Sequence, residues 1–228
     1  MTVTTTTLTR AAGLCAVAAG TLFIAVQIKH PNLDAGFATT TEYAVREGVK
    51  IAMAVLSLIG ITGMYLRQVR QMGVLGLIGY LLFSAGYLTL MTVEMIGTFV
   101  LPHLATVSPG YVDDVLVAAI GGHPSGDIGG LTTLLGASGV TFIAGGLVFG
   151  IALFRAGVLA RWAAALLAVG SVATLAIPML PQVNYRLFSI PTSIAMIGLG
   201  WSLWRDQRDD ATDTVVERMT SLDAVGTK

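Results

Sequence analysis

The 228-residue chain is 54% hydrophobic and 11% charged, with a formal net charge of zero and a mean hydropathy of +0.78. Soluble domains carry roughly 25% charged residues, so these side chains cannot coat a water-soluble surface of this size. A soluble enzyme, a disulfide scaffold and a nucleic-acid binder are excluded: Cys15 is the single cysteine, and no basic excess draws a polyanion.

The apolar residues fall into six blocks, each near the roughly 20 residues that cross a bilayer core of about 30 Å as a helix. The expected fold is therefore all-α, a polytopic bundle of six transmembrane helices. The first span runs from Ala11 to Ile28 after a Thr-rich start. With only Arg10 before it and further spans behind it, it reads as a retained span rather than a cleaved signal. The second span is Glu47 to Leu66, the third Met72 to Leu101 and the fourth Gly130 to Phe154. The fifth is Val158 to Ile177 and the sixth Leu187 to Trp204. Residues 1–204 thus form the transmembrane domain. The polar stretch from Arg205 to Lys228 is a cytoplasmic tail, disordered or a short surface helix.

Basic residues near the span ends set the orientation. With the N-terminus inside, the inner segments hold Arg10, Arg67, Arg70, Arg155, Arg161, Arg205, Arg208, Arg218 and Lys228. The outer segments hold Lys29, Arg46, Lys50 and Arg186. Trp162, Trp201 and Trp204 all fall at inner ends, at the level of the headgroups. Both termini are expected inside, in a multi-pass protein of the cell membrane with a longer outer loop between the third and fourth spans. In the fourth span, Gly146 and Gly150, with Ala137, Thr141 and Gly145, form stripes of small residues. Such stripes let helix backbones approach closely, and the expected use is packing within the chain; a dimer face stays open.

Apart from Arg161 at the inner end of the fifth span, three ionisable residues lie within the spans: Glu47, Lys50 and Glu94. Intramembrane charge is costly, which makes these the first functional candidates. Glu47 and Lys50 share a helix face at a spacing of three, and are expected to pair at the outer edge with Arg46 as a third member. The third span is about 45 Å long as a helix, so it must tilt or project. Along it, Tyr80, Ser84, Tyr87, Met91, Glu94 and Thr98 recur at intervals of three and four. That stripe is expected to face the bundle interior or a cavity, where Glu94 serves as a proton donor unless Lys50 or Arg186 pairs with it.

The three histidines, His30, His103 and His123, all lie on the outer side, with Asp113, Asp114 and Asp127 in the long loop. None has metal-ligand spacing, and the glycines of that loop lack the order of a phosphate-binding motif. No metal and no cofactor is therefore expected. Tyr111 to Ile120 is too short to cross and reads as a lid or re-entrant piece on a base of Gly121, Gly122, Gly126, Gly129 and Gly130 that permits motion.

In size, and in placing a carboxyl near a helix end over an apolar interior, the chain resembles small membrane-bound terpene cyclases. That resemblance implies an acid that protonates an alkene or epoxide of an isoprenoid, after which the cation cyclises without a metal. It differs from the family in span count, six against seven, and in an aromatic content of 7%. On this reading Glu94 is the acid, positioned by Tyr87 and assisted by Glu47, with Asp127 at the mouth. Tyr80, Ser84, Phe83, Thr98 and His123 contact the substrate, and Phe99 and Phe142 add rings to the same pocket. The expected partners are the lipid bilayer and an amphiphilic or isoprenoid small molecule, with no nucleic acid. A small transporter and a non-catalytic accessory protein are the alternatives; the inner halves, with Ser57, Thr62 and Tyr80 but no ionisable group, speak against an ion relay.

Overall fold

The computed structural model describes residues 4–28, 31–175 and 189–206, and among them every regular element is helical. Helix α1 spans Thr5–Gln27, with the hydroxyl of Thr4 accepting from the amide of Thr7 at its start. The short α2, Ala35–Ala38, is capped by Asp34, and α3, Thr41–Arg67, by Thr40. Helix α4 is Val69–Phe99 and α5 is Leu101–Val107. Helix α6 is Pro109–Ala119, α7 is Leu131–Ala156 and α8 is Arg161–Ala173. A final helix, α9, covers 189–206.

Four of these, α1, α3, α4 and α7, are long and apolar enough to cross a membrane. Their outward faces leave Val74, Leu81, Leu88 and Val140 exposed, a surface suited to lipid. The expected ends of the fifth and sixth spans at Ile177 and Leu187 lie outside the described residues. So do Lys29, His30, Arg186 and the tail from residue 207.

The third apolar block is not one helix to Leu101, as its composition suggested. Gly73, at φ 56, breaks the helical path near the start of α4. At the other end Pro102 sits in the first turn of α5, where its missing N–H suits a new helix start. Helix α4 itself still spans 31 residues, so most of the surplus length stays within it.

The long helices close a ring in the order α1, α3, α4, α7, α8, α9 and back to α1. Where no water drives apolar faces together, close backbone approach holds helices together, and small residues allow it. A Cβ on Gly60 of α3 would stand 2.7 Å from that of Ala16 on α1, and one on Gly86 of α4 2.7 Å from the Phe142 amide nitrogen of α7. Gly146 and Gly150 of α7 turn to Ser171 and Ala168 of α8, so this stripe is spent on packing within the chain. Gly13 and Gly200 bring α1 against α9, and the amide of Ala160 donates to Ser202 Oγ at 3.0 Å.

Polar rungs join α3 to α4. Thr62 Oγ1 and Tyr80 Oη lie 3.1 Å apart, Ser57 bonds Tyr87, and Lys50 Nζ lies 3.2 Å from Glu94 Oε2. At the end of the bundle where α3 turns into α4, Arg67 meets Asp206 at 2.6 Å and Arg10 lies over the ring of Trp204. At the other end, α2, α5 and α6 build a small cap around Tyr43, Leu101, Val112, Val115, Leu116 and Ile128.

Candidate functional site

Beneath the cap lies a cavity of about 700 Å³ within the helix ring. Its walls are largely apolar, with Phe23 and Val26 from α1, Met53 from α3, Leu90 from α4 and Phe142 from α7. One side carries Tyr43, Glu47 and Lys50 from α3 and Glu94 from α4. Tyr43, Glu47 and Lys50 recur at intervals of four and three, which places them on one face of α3. Gly97 of α4 stands opposite: a Cβ there would lie 3.1 Å from Glu47 Oε2 and 3.2 Å from Tyr43 Oη. The missing side chain is what lets α3 bring its carboxyl and phenol up to α4.

Lys50 Nζ lies 2.6 Å from Glu47 Oε1 and 3.2 Å from Glu94 Oε2, so one ammonium bridges two carboxyls. Glu47 is 5% exposed and Glu94 8%. The expected pair of Glu47 and Lys50 forms, but Arg46 is not its third member. Helix α3 begins six residues before Glu47 and the cap covers it, so the pair lies inside the chamber. Arg46 turns away, meeting Glu42 at 2.8 Å and the carbonyl of Val26 at 3.2 Å. Nor does Glu94 stand alone: Lys50 pairs with it, the case in which the sequence expected no proton donor, although Glu47 shares the same ammonium.

The other residues singled out from the sequence divide sharply. His123 lines the chamber mouth with Pro124. Tyr87 is buried, bonded to Ser57 and packed between Phe83 and Phe142, without reaching the chamber lining. Phe83 also stacks toward Phe149 in the core. Tyr80 lies against Tyr65 with ring centroids 4.6 Å apart, toward the opposite end of the bundle. Ser84 is half-buried between these levels and its hydroxyl has no partner among the described residues. Thr98 bonds back to the carbonyl of Glu94 at 2.8 Å, and Phe99 is exposed. Asp127, in the loop, accepts from the amide of Gly129 at 2.8 Å.

Ser138 of α7, the helix next to α4, and Thr192 of α9, across the ring from α4, also line the chamber. Thr192 is 1% exposed and its hydroxyl has no hydrogen-bond partner. Over the chamber sits α6, whose Val115, Leu116 and Ala119 form part of the roof. The glycine-rich loop below it is less free than its composition suggested. Asp114 accepts from the amides of Ser125 and Gly126, at 2.6 and 3.0 Å, and Asp113 accepts from Ala35 at 2.7 Å. Among the described residues, no three His, Cys, Asp or Glu side chains gather as metal ligands.

No family model matches the chain, and neither does any curated protein or solved structure. Function is therefore read from the chamber.

Proposed function

We propose that the chain is a multi-pass protein of the cell membrane, with six spans formed by α1, α3, α4, α7, α8 and α9 and both termini inside. Residues 1–204 make up the membrane domain and 205–228 a cytoplasmic tail. The Arg67, Arg155 and Arg161 end faces the cytoplasm, by the bias of basic residues, and the capped chamber faces outward. In it the protein takes an isoprenoid or other amphiphilic molecule and transfers a proton to it. The observation that carries this reading is a largely apolar cavity of about 700 Å³ with two carboxyls and one ammonium on a single wall.

Two carboxyls around one ammonium leave room for one proton at charge balance, and Glu94 and Glu47 are the groups that hold it. For an isoprenoid, the carboxyl O–H proton adds to one carbon of a C=C bond. The π pair forms the new C–H bond, and a cation is left on the neighbouring carbon. A second C=C closes a ring on that cation. Loss of a proton to the carboxylate then restores both the alkene and the acid, so the product is an isomer of the substrate. Lys50 stabilises the carboxylate formed, and the rings of Phe23, Tyr43 and Phe142 face the cationic stage.

Solvent deuterium tests this directly. Membranes bearing the chain, incubated in heavy water with a set of prenyl alkenes, should yield a product carrying deuterium at the protonated carbon. Glu94→Gln should abolish it at equal protein level. No deuterium in any product would remove the catalytic reading and leave a binding protein.

A further inference from the structure

We infer that the chamber selects a cationic amphiphile, a hydrocarbon tail bearing an ammonium head, and that Glu47 and Glu94 hold the head. This rests on the reading above that the chamber takes an amphiphile, and it assigns that molecule a class.

The first support is the balance of charge. Lys50 is the single Lys or Arg among the described lining residues, against the two carboxyls of Glu47 and Glu94. His123 stands at the mouth, apart from this cluster on α3 and α4. Without the shared proton both carboxyls are ionised and the wall carries one negative charge in excess, so an ammonium head takes that proton's place. Uncompensated charge in a low-dielectric interior is costly, and a positive ligand relieves it while a negative one worsens it. The second support is geometric. A carboxylate accepts up to about four hydrogen bonds, and the ammonium of Lys50 meets one oxygen of each carboxyl. Acceptor capacity therefore remains for a second ammonium, and Phe23, Tyr43 and Phe142 belong to the same lining.

The test uses the full chain in lipid nanodiscs and titration calorimetry with dodecylammonium, dodecanol, dodecyl sulfate and dodecylphosphocholine, which share one tail. The ammonium should bind about 10-fold or more tighter than dodecanol, as a charge-assisted contact requires, and dodecyl sulfate should bind weakest. Glu47→Gln and Glu94→Gln should each lower ammonium affinity about 10-fold and leave dodecanol binding unchanged. Binding of dodecylphosphocholine as tight as that of the simple ammonium would support the inference and assign the head to a lipid. Dodecanol or dodecyl sulfate binding as tightly as the ammonium would overturn the inference and leave the amphiphile reading standing. Binding of none of the four would overturn both. Should a Gln variant fail to fold, the comparison of the four probes on the unaltered chain decides.

Discussion

Lys50 reaches 44 residues along the chain to Glu94, its Nζ 3.2 Å from Oε2, while holding Glu47 of its own helix at 2.6 Å. The ammonium is thus the hub, and the two carboxyls are not equivalent to it. Removing the hub leaves two carboxyls facing each other in an apolar chamber, whereas removing one carboxyl leaves the other pair intact. Lys50→Met should therefore destabilise by about 3–5 kcal/mol, as for a broken buried ion pair. Glu94→Gln should cost about 1–3 kcal/mol, the scale of one charged hydrogen bond. Thermal denaturation of the purified variants in detergent reads the order; Glu94→Gln being the worse of the two would contradict it.

Gly97 makes room for this cluster, so its substitution should act on the site before it acts on the fold. A Cβ there would lie 3.1 Å from Glu47 Oε2, and a branched side chain would drive that carboxyl away from Lys50. Gly97→Val should cost about 1–3 kcal/mol and abolish deuterium transfer, with Gly97→Ala intermediate. Gly48, where an added Cβ meets nothing within 4 Å, supplies the control: Gly48→Ala should leave folded yield and transfer unchanged.

Much of the architecture was legible because lipid imposes a simple rule, a long apolar run for each crossing. The cores of α1, α3, α4 and α7 follow from it. The break after Phe99 was less legible, since Leu101 and Leu104 continue the apolar run and only Pro102 marks the new helix. In the site, the inward face of α4 was readable from its polar stripe. What the stripe touches was not. Tyr80 and Tyr87 spend their hydroxyls on Thr62 and Ser57 of α3, and of the polar side chains on that stripe the chamber receives that of Glu94. Tyr43 was missed because it precedes the apolar core of its span, although its spacing to Glu47 and Lys50 was a visible signal. The pairing of Lys50 with Glu94 depends on the register between two helices, which neither helix carries alone.

The proposed orientation predicts which thiols are reachable. In a Cys15→Ser background, His123→Cys at the exposed chamber mouth should react with a membrane-impermeant maleimide added to intact cells. Arg205→Cys, just past the tryptophans of α9, should react only after the cells are opened. Labelling in the reverse pattern would invert the topology and place the chamber on the cytoplasmic side.

Occupancy of the chamber is the point on which the account turns, and native mass spectrometry of the protein released from nanodiscs measures it. Gly139 of α7 borders the cavity, and a Cβ there would meet nothing within 4 Å, so Gly139→Trp has space to enter without disturbing a helix contact. The unaltered chain should retain one hydrocarbon-tailed molecule that Gly139→Trp releases, with the folded yield of the two alike. Equal retention by both would place any bound lipid on the outer surface and contradict a ligand chamber beside Glu94.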